Sequence, residues 1–309
     1  MTDIQELIPD VYVIPGGTNV GVIRVKTESG CGLYLIDSGG SEKDARKIEK
    51  ILDEHFTDRH LRAVINTHSH ADHTGGNAYF AEKTKCEIWM PYLEKGSVEN
   101  TLLQPSLAWG GFPLPELRTS YYVPAHCEAT RVIRDEECVE LSDGKKIRFI
   151  ALPGHYFEML GVMCTIPDGK CAFFAGDAVF GKKVIAKFSI PFMLDIFSFL
   201  DTLEKLRSVR ADRYVPSHGD AVTRIDETVE MNEIAVLQTI SCIMKILKKK
   251  PHTAEELLTE VANANGISMK LAQYVLIGST LRSFLTCLYE KGRITYEIAD
   301  NKMLWKAVD

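Results

Sequence analysis

The sequence predicts an α/β fold followed by a smaller, mainly helical region. A strand–helix–strand alternation occurs twice, within residues 11–67 and within residues 147–216, and such alternation is typical of α/β layers. Beyond about residue 222, apolar residues recur at steps of three and four, which is the period of an amphipathic helix. We therefore expect one domain over residues 1–222 and a second over residues 223–309.

Composition narrows the class of protein. The chain has 309 residues, 45% of them hydrophobic, and a formal net charge of -6, which disfavours a protein that grips nucleic acid or an anionic membrane. Residues 1–10 contain no long apolar run, so we expect no secretory signal, and we expect no stretch long enough to span a membrane. Eight cysteines without a C-x-x-C pair indicate reduced thiols and a cytoplasmic location.

The first alternation leads to a group of histidines. Short apolar runs broken by glycines predict two or three strands over residues 11–36, and residues 41–55 read as a helix with an N-terminal cap. Residues 63–67 form a brief apolar run, typical of a buried strand. This strand delivers the chain directly into the histidines.

The second alternation repeats the pattern. Apolar runs at residues 147–152, 161–165, 171–175 and 213–216 predict strands, and residues 197–209 predict a helix. Residues 92–135 lack a clear period and are rich in proline and aromatic residues. A long irregular segment of this kind is often a lid or binding loop. The alternative is a surface excursion whose aromatic residues pack onto its own base.

The C-terminal region has its own order of elements. Helices are predicted over residues 226–250, from the capping pair Thr253 and Glu256 onward, and over residues 269–290, where Gly292 is placed to end the last helix. Two strands follow, at residues 293–298 and 303–308. Three helices and a β-hairpin are the outline of a winged-helix module.

Residues 68–73 carry the strongest chemical signal. The run His68-Ser69-His70-Ala71-Asp72-His73 offers four metal donors in six residues, directly after a buried strand. Imidazole nitrogen and carboxylate oxygen are the donors that zinc and similar ions take in catalytic sites. A polar turn capped by Asp72 is the alternative, but such a turn rarely needs three histidines. The run therefore predicts a metal site.

Further donors follow other predicted strands. His155 ends the run Leu152-Pro153-Gly154-His155, Asp177 follows an apolar run ending in Gly176, and His218 follows Val215-Pro216-Ser217. A lone histidine at a strand end is more often a structural residue. All three together with the cluster indicate one site assembled from several strand ends.

These motifs, in this order and with Asp37, resemble the five motifs of the metallo-β-lactamase superfamily over roughly residues 10–220. The resemblance implies a four-layer αββα sandwich with the site at one edge between two sheets. It implies that His68, His70 and His155 hold a first metal, that Asp72, His73 and His218 hold a second, and that Asp177 bridges them. It gives Asp37 the task of steadying the histidine loop by hydrogen bonds.

The resemblance also implies the chemistry. Two divalent ions lower the pKa of a shared water, so that hydroxide can attack a carbonyl carbon or a phosphorus near neutral pH. Asp72 additionally orients this nucleophile or relays its proton. Zinc is the expected metal because three histidines and a carboxylate suit it, with iron and manganese as alternatives.

Departures from the family pattern narrow the expected reaction. Secreted β-lactamases of the superfamily typically have cysteine where this chain has Asp177, so antibiotic hydrolysis is not expected as its main task. Flavodiiron relatives have glutamate where His70 stands, which disfavours redox chemistry. Tyr156 and Phe157 replace the small residues that commonly follow the third-motif histidine, so we expect a bulkier, more apolar pocket.

Candidate substrate contacts come from aromatic and basic residues near the motifs. They are Trp109, Phe112, Tyr121, Tyr122, Tyr156 and Lys187. A solvated loop is the alternative for Lys187 and its neighbouring lysines. The C-terminal module has few basic residues along its third helix, so it is expected to shape the rim of the site or to form a homodimer contact, and not to read DNA.

Three functions remain open at this stage. The first is hydrolysis of an ester, thioester or lactone of a small molecule, favoured by the apolar segment and the acidic composition. The second is a phosphodiesterase or ribonuclease, with nucleic acid as partner. The winged-helix-like module at the C-terminus favours this alternative. The third is a non-catalytic ligand-sensing protein, which the complete set of donors argues against.

Overall fold

Two β-sheets form the centre of the computed structural model, which describes residues 3–28 and 30–308. The first sheet has seven strands in chain order, antiparallel from the first to the fourth and parallel from there on. Its strands are β1 (Gln5–Ile8), β2 (Val11–Ile14), β3 (Val20–Thr27), β4 (Gly30–Ile36), β5 (Arg59–Ile65), β6 (Glu87–Pro91) and β7 (Arg131–Ile133).

The second sheet has five strands in the order β12-β11-β10-β9-β8. They are β8 (Cys138–Glu140), β9 (Lys146–Ala151), β10 (Leu160–Thr165), β11 (Cys171–Phe180) and β12 (Arg213–His218). Neighbours are antiparallel except β11 and β12, which run parallel and are joined through two helices. A separate hairpin follows near the C-terminus, formed by β13 (Ile294–Ala299) and β14 (Lys302–Ala307).

Helices cover the outer face of each sheet. In chain order they are α1 (Glu42–His55), α2 (Ala71–Thr74), α3 (Asn77–Thr84), α4 (Lys95–Glu99), α5 (Leu103–Trp109), a 3-10 turn at Pro115–Leu117, α6 (Lys182–Phe188), α7 (Ile196–Ser208), α8 (Asp226–Leu247), α9 (Ala254–Ala264) and α10 (Leu271–Glu290). Ser41 caps α1 by accepting from the Asp44 amide, and Thr253 with Glu256 forms a capping box on α9.

Three hydrophobic clusters define the layers. The inner faces of the two sheets meet around residues such as Ile23, Phe149 and Phe174. The other face of the first sheet packs on α1 and α3, for example Leu35 on Leu52 and Phe80. The outer face of the second sheet packs on α7 and α8. The fold is therefore the predicted α/β sandwich, with layers in the order helix, sheet, sheet, helix.

Residues 92–135 are more ordered than the sequence indicated. They contain α4, α5, the 3-10 turn and β7, none longer than seven residues. Elements this short span two helical turns or fewer, so their periodicity does not stand out in the sequence. The segment nonetheless keeps many exposed apolar side chains, among them Leu103, Leu107, Phe112 and Tyr121.

The C-terminal elements occur in the predicted order, and they share a core with the sandwich. The cluster outside the second sheet continues from Phe199 on α7 through Val236 on α8 to Leu257 on α9 and Phe284 on α10. The division at residue 222 and the winged-helix assignment remain predictions. All eight cysteines are free thiols.

One expectation about membrane spans is wrong. Helix α10 has 20 residues and is apolar enough to cross a bilayer by length and composition. Half of its apolar window is buried inside the structure, including Leu281, Phe284 and Leu288. We interpret α10 as a core helix.

Candidate metal centre

The predicted metal donors meet at the carboxyl-end edge of strands from both sheets. His68 to His73 follow β5, His155 follows β9, and His218 is the last residue of β12. Asp177 differs from the expectation because it lies within β11, where the pairing with β12 shifts register around Gly176. Gly176 adopts a positive φ of 59°, and this irregularity lets the strand continue past Asp177 to Phe180.

Three histidines form one end of the centre. His70 Nδ1 lies 3.0 Å from His68 Nε2 and 2.9 Å from His155 Nε2. His68 is fully buried and His155 is 3% exposed. Three ring nitrogens that converge at this distance direct their lone pairs or protons toward the same small volume.

A second group of donors lies beside the first. His218 Nε2 is 3.1 Å from Asp72 Oδ2, and His73 Nε2 is 3.6 Å from the same oxygen. Asp177 faces both groups, because its Oδ1 lies 3.5 Å from His73 Nε2 and its Oδ2 lies 3.3 Å from His155 Nε2 and 3.4 Å from His218 Nε2. Asp177 is therefore placed between the two sets of ligand atoms.

The residues present fit divalent cations. His73 Nε2 and Asp177 Oδ1 are buried and have no hydrogen-bond partner among the described residues, and buried polar atoms are rarely left unpaired. The seven side chains form three overlapping groups, within each of which the donor atoms lie within 4.8 Å of one another: His68, His70 and His155; His68, His73 and Asp177; Asp72, His73 and His218. Nitrogen and carboxylate oxygen donors in such groups suit zinc, iron or manganese.

Hydrogen bonds from outside fix the orientation of the rings. His155 Nδ1 lies 2.8 Å from the Phe192 carbonyl, His218 Nδ1 lies 2.7 Å from the Gly17 carbonyl, and His73 Nδ1 lies 2.8 Å from Asp37 Oδ2. Each of these nitrogens donates its proton outward. In the neutral ring, the Nε2 atom then faces the centre with its lone pair, as a metal ligand requires.

Asp37 also fastens the loop that carries the histidines. Its carboxylate is 1% exposed, accepts from the Thr67 amide at 2.9 Å and accepts from the Thr67 hydroxyl at 3.0 Å. Asp37 adopts a φ of 62° at the end of β4, a conformation that aspartate tolerates better than most residues. Its contacts are those of a residue that holds the loop without facing the centre.

Charge separates the two groups of histidines. Burial holds the pKa of His68 and of His70 well below its usual range, so both rings are neutral. Burial alone would also lower the pKa of His73, but the carboxylates of Asp72, Asp37 and Asp177 outweigh burial and raise it to about 10. A proton on His73 therefore occupies a position that a cation would take, since a ligating imidazole must be neutral.

Several residues that the sequence did not single out complete the centre. The Thr18 hydroxyl donates to Asp72 Oδ2 at 3.1 Å, and Asn19 Nδ2 donates to the carbonyls of Pro216 and Gly219 beside His218. Phe192 places its ring 5.4 Å from the ring of His70. None of these residues carries a local motif, because their roles arise only from packing between distant segments.

Glu94 is the least expected of these residues. It is fully buried, its Oε2 accepts from the Ser69 amide at 2.7 Å, and its Oε1 accepts from the Glu158 amide at 3.1 Å. Burial raises the pKa of this carboxyl to about 7. One side chain thus joins the loop between His68 and His70 to the loop that follows His155.

The predicted substrate contacts occupy different places. The Tyr156 ring lies 4.5 Å from the His70 ring but is only 3% exposed, so it forms a wall behind the ligand. Tyr122 is 5% exposed and donates to the Ala272 carbonyl on α10 at 3.2 Å, which makes it an anchor and not an open contact. Tyr121 is exposed, and its pKa, raised mainly by burial of the hydroxyl, is also affected by the charges of Asp72 and His218.

The contacts found for Trp109, Phe112 and Lys187 are with residues other than the seven donors. Trp109 lines a groove of about 660 Å³ between α5 and α10, and none of the seven donor residues lines that groove. Phe112 is strongly exposed, and the guanidinium of Arg118 lies over it, 5.4 Å from the centroid of the Phe112 ring. The Lys187 ammonium lies 4.8 Å from the ring of Phe188. The structure thus places Tyr156 against the ligand His70 and places Trp109 in a separate groove.

The segment that holds all seven donors matches a family model. The match covers residues 13–218, two thirds of the chain, and its description is the metallo-beta-lactamase superfamily. The chain belongs to the metallo-beta-lactamase superfamily. As a member of this superfamily, it is a metal-dependent hydrolase.

Relatives and solved structures agree with this membership. The superfamily member is 24% identical to an atrochrysone carboxyl ACP thioesterase of Emericella nidulans, over 100% of this chain and 87% of the relative. A beta-lactamase domain protein from Burkholderia ambifaria shares the fold with a TM-score of 0.80 at 19% identity, covering 99% of this chain and 95% of that one. A metallo-beta-lactamase family protein from Thermus thermophilus gives a TM-score of 0.74 at 18% identity, covering 98% and 100%.

Proposed function

We propose that this hydrolase holds two divalent metal ions, preferably zinc, and cleaves an ester, thioester or lactone bond of a small molecule. The observation that carries the proposal is the shared position of Asp177. Its two oxygens face both donor groups, and one of them is buried without a partner among the described residues. When bound, two divalent cations supply Lewis-acid activation of the scissile group and of a water molecule.

In this proposal the chain's own residues have separate tasks. His68, His70 and His155 would hold one ion, Asp72, His73 and His218 would hold the other, and Asp177 would contribute to both. The Asp72 side chain is 49% exposed, the most accessible of the carboxylates at the centre. Before a cation binds, the protonated His73 and His218 outweigh burial and hold the pKa of the Asp72 carboxyl well below its usual range. Because its carboxylate is exposed beside the donors, Asp72 would also accept a hydrogen bond from the attacking water and orient it.

Two observations favour an acyl substrate. The His70 side of the centre is walled by the rings of Tyr156 and Phe192, while the Asp72 side is polar and carries Thr18 and His218. This asymmetry suits a substrate with an apolar acyl part and a polar leaving group. A relative that aligns with the whole chain is described as a thioesterase, so a thioester is the first bond to test.

A substrate panel tests the proposed class. Zinc-loaded protein is assayed with an acyl thioester, a p-nitrophenyl ester, a lactone, bis-p-nitrophenyl phosphate and RNA. We expect turnover of at least one of the first three substrates and little or none of the last two. Preferential cleavage of either phosphodiester would replace the proposal with the phosphodiesterase alternative, and binding without any turnover would favour a sensing protein.

Variants of the donors test the site itself. Asp177→Ala and His73→Ala should lose bound metal and turnover, because each removes a donor that faces the centre. Asp201→Ala and His60→Ala are the matched controls, since both residues are exposed and lie outside the centre. Metal content by elemental analysis and turnover are measured on the same samples. Full metal content in both donor variants would contradict the assignment.

A further inference from the structure

Helix α10 holds the loop between α6 and α7 from outside the sandwich. The Thr280 side chain is fully buried, and its hydroxyl oxygen accepts from the Met193 amide at 3.2 Å. One turn further along the same face, the Ser283 hydroxyl donates to the Leu194 carbonyl at 2.8 Å. Two consecutive residues of the loop are thus fixed by side chains of the C-terminal region.

The same loop fixes a predicted metal ligand. The Phe192 carbonyl, one residue before Met193, accepts from His155 Nδ1 at 2.8 Å. The amides of Leu194 and Asp195 both donate to the Gly154 carbonyl, at 2.9 and 3.0 Å. The Phe192 ring lies 5.7 Å from the His155 ring. The loop therefore determines both the backbone before His155 and the direction in which its ring points.

The other contacts of the loop are mainly apolar, since the side chains of Ile190 and Met193 are buried in the core outside the second sheet. The loop belongs to neither sheet, and it begins at Ser189, which adopts a φ of 56° after the end of α6. A carbonyl that orients a ligating histidine contributes to metal affinity only if it stays in place. The contacts from α10 are positioned to keep it there.

We propose that Thr280 and Ser283 are positioning residues for His155, so that the C-terminal region sets the affinity of the ion held by His68, His70 and His155. The inference rests on the metal centre of the proposed function. It assigns a role to α10 at that centre, with no contact between α10 and the ion. A carboxyl-terminal helix outside the sandwich thereby becomes part of the metal site.

The test compares two variants of Thr280. Thr280→Val keeps the shape of the side chain but removes the hydroxyl that accepts from the Met193 amide, and Thr280→Ser keeps that hydroxyl. Thr239→Val is the matched control, since Thr239 is also buried on a long helix but its hydroxyl donates only to the Ala235 carbonyl of the same helix. Zinc affinities are measured by competition with a chromophoric chelator, and thermal unfolding is followed on metal-free protein. Ser283→Ala is measured in the same way.

We expect Thr280→Val to weaken one of the two zinc equivalents by about 10- to 100-fold and to leave the other close to wild type. Thr280→Ser should recover most of the affinity. Thr239→Val should lower the unfolding temperature about as much as Thr280→Val does, but it should leave the affinity for both zinc equivalents unchanged. In a His155→Ala background, Thr280→Val should have no further effect on zinc binding, because the two changes act on the same ligand.

Wild-type affinity for both equivalents in Thr280→Val would overturn the inference and leave the proposed function intact. An equal loss of affinity in Thr239→Val would also overturn it, since general destabilisation would then explain the effect. If the wild-type chain binds no divalent cation, the proposed function and the inference both fail. The wild-type titration therefore separates the two failures.

Discussion

Glu94 shows how one side chain couples two loops of the centre. Its carboxylate is fully buried and accepts hydrogen bonds from the backbone amides of Ser69 and Glu158. Burial favours the protonated form of this carboxyl, and the two amide donors offset that effect only in part. Loop position and protonation of Glu94 are consequently linked.

The pH dependence of stability should reveal this residue. Burial raises the pKa of Glu94 from 4.5 to about 7, so between these pH values the folded chain keeps a proton that the unfolded chain has released. The free energy of unfolding therefore falls as the pH rises from about 4.5 to about 7, with Glu94 contributing about 3 kcal/mol at most. Glu94→Gln should lack this contribution, as measured by denaturant unfolding of chelator-treated protein.

The control for this prediction is Glu82→Gln, at an exposed position on α3. It should keep the wild-type pH dependence. A pH profile of Glu94→Gln that runs parallel to the wild-type profile would show that the Glu94 carboxyl is not perturbed by the fold.

Asp37 offers a second test at the residue scale. Asp37→Asn keeps a residue that tolerates the positive φ but removes the charge that faces His73. We expect a loss of about 10- to 100-fold in the affinity of the ion held by His73, by analogy with other residues that orient ligating histidines. Zinc competition measures it. Asp53→Asn, at an exposed position on α1, should bind zinc like the wild type.

At the scale of elements, the turn before His155 packs tightly on α7. Gly154 adopts a φ of 121°, and a Cβ atom there would lie 2.3 Å from the backbone nitrogen of Phe199. Asp195 caps α7 with its carboxylate, and its own amide donates to the Gly154 carbonyl. The start of α7 and His155 are thus held in fixed positions relative to each other.

Two glycine substitutions separate strain from collision. Gly169, at the tip of the β10–β11 hairpin, has a φ of 92° and open space where a Cβ atom would lie. Gly169→Ala should therefore lower the free energy of unfolding by about 1–3 kcal/mol through backbone strain alone. Gly154→Ala should cost more and should also weaken zinc binding, because α7 or the turn must shift. Denaturant unfolding and zinc competition are measured on both variants. Equal costs would show that the turn can relax away from α7.

The sequence predicted long elements well and short ones poorly. Helix α1 was predictable because Ser41 caps an apolar stripe that repeats over 14 residues. Helices α4 and α5 were not, since five and seven residues give too little periodicity. The donors could be found because each lies next to a strong apolar strand. Glu94, Thr18 and Phe192 could not, since only tertiary packing brings them to the centre.

At the scale of the whole molecule, the two predicted domains share one hydrophobic cluster. Residues of β11, α7 and α8 and residues of α9 and α10 belong to it, including Phe173, Phe199, Leu257 and Phe284. A continuous core of this kind couples the unfolding of its parts.

The intact chain should therefore unfold in one cooperative transition. Phe284→Ala, at a fully buried position on α10, should cost about 3–5 kcal/mol and shift the whole transition. Calorimetry and hydrogen exchange of the sheet amides measure this. Two separate transitions would instead support independent domains divided near residue 222, if Phe284→Ala shifted only the transition of the residues after that position.

The donors reach the centre from β5 in one sheet and from β9, β11 and β12 in the other, and His68 and His218 lie 150 positions apart in the sequence. A partly folded chain with one sheet formed can present some of these donors but not the whole set. A cation that binds the finished centre therefore adds its binding free energy to the completed fold and little to any precursor. In a cell, metal supply would then act late in folding, selecting finished molecules and slowing their unfolding, without guiding the chain toward its topology.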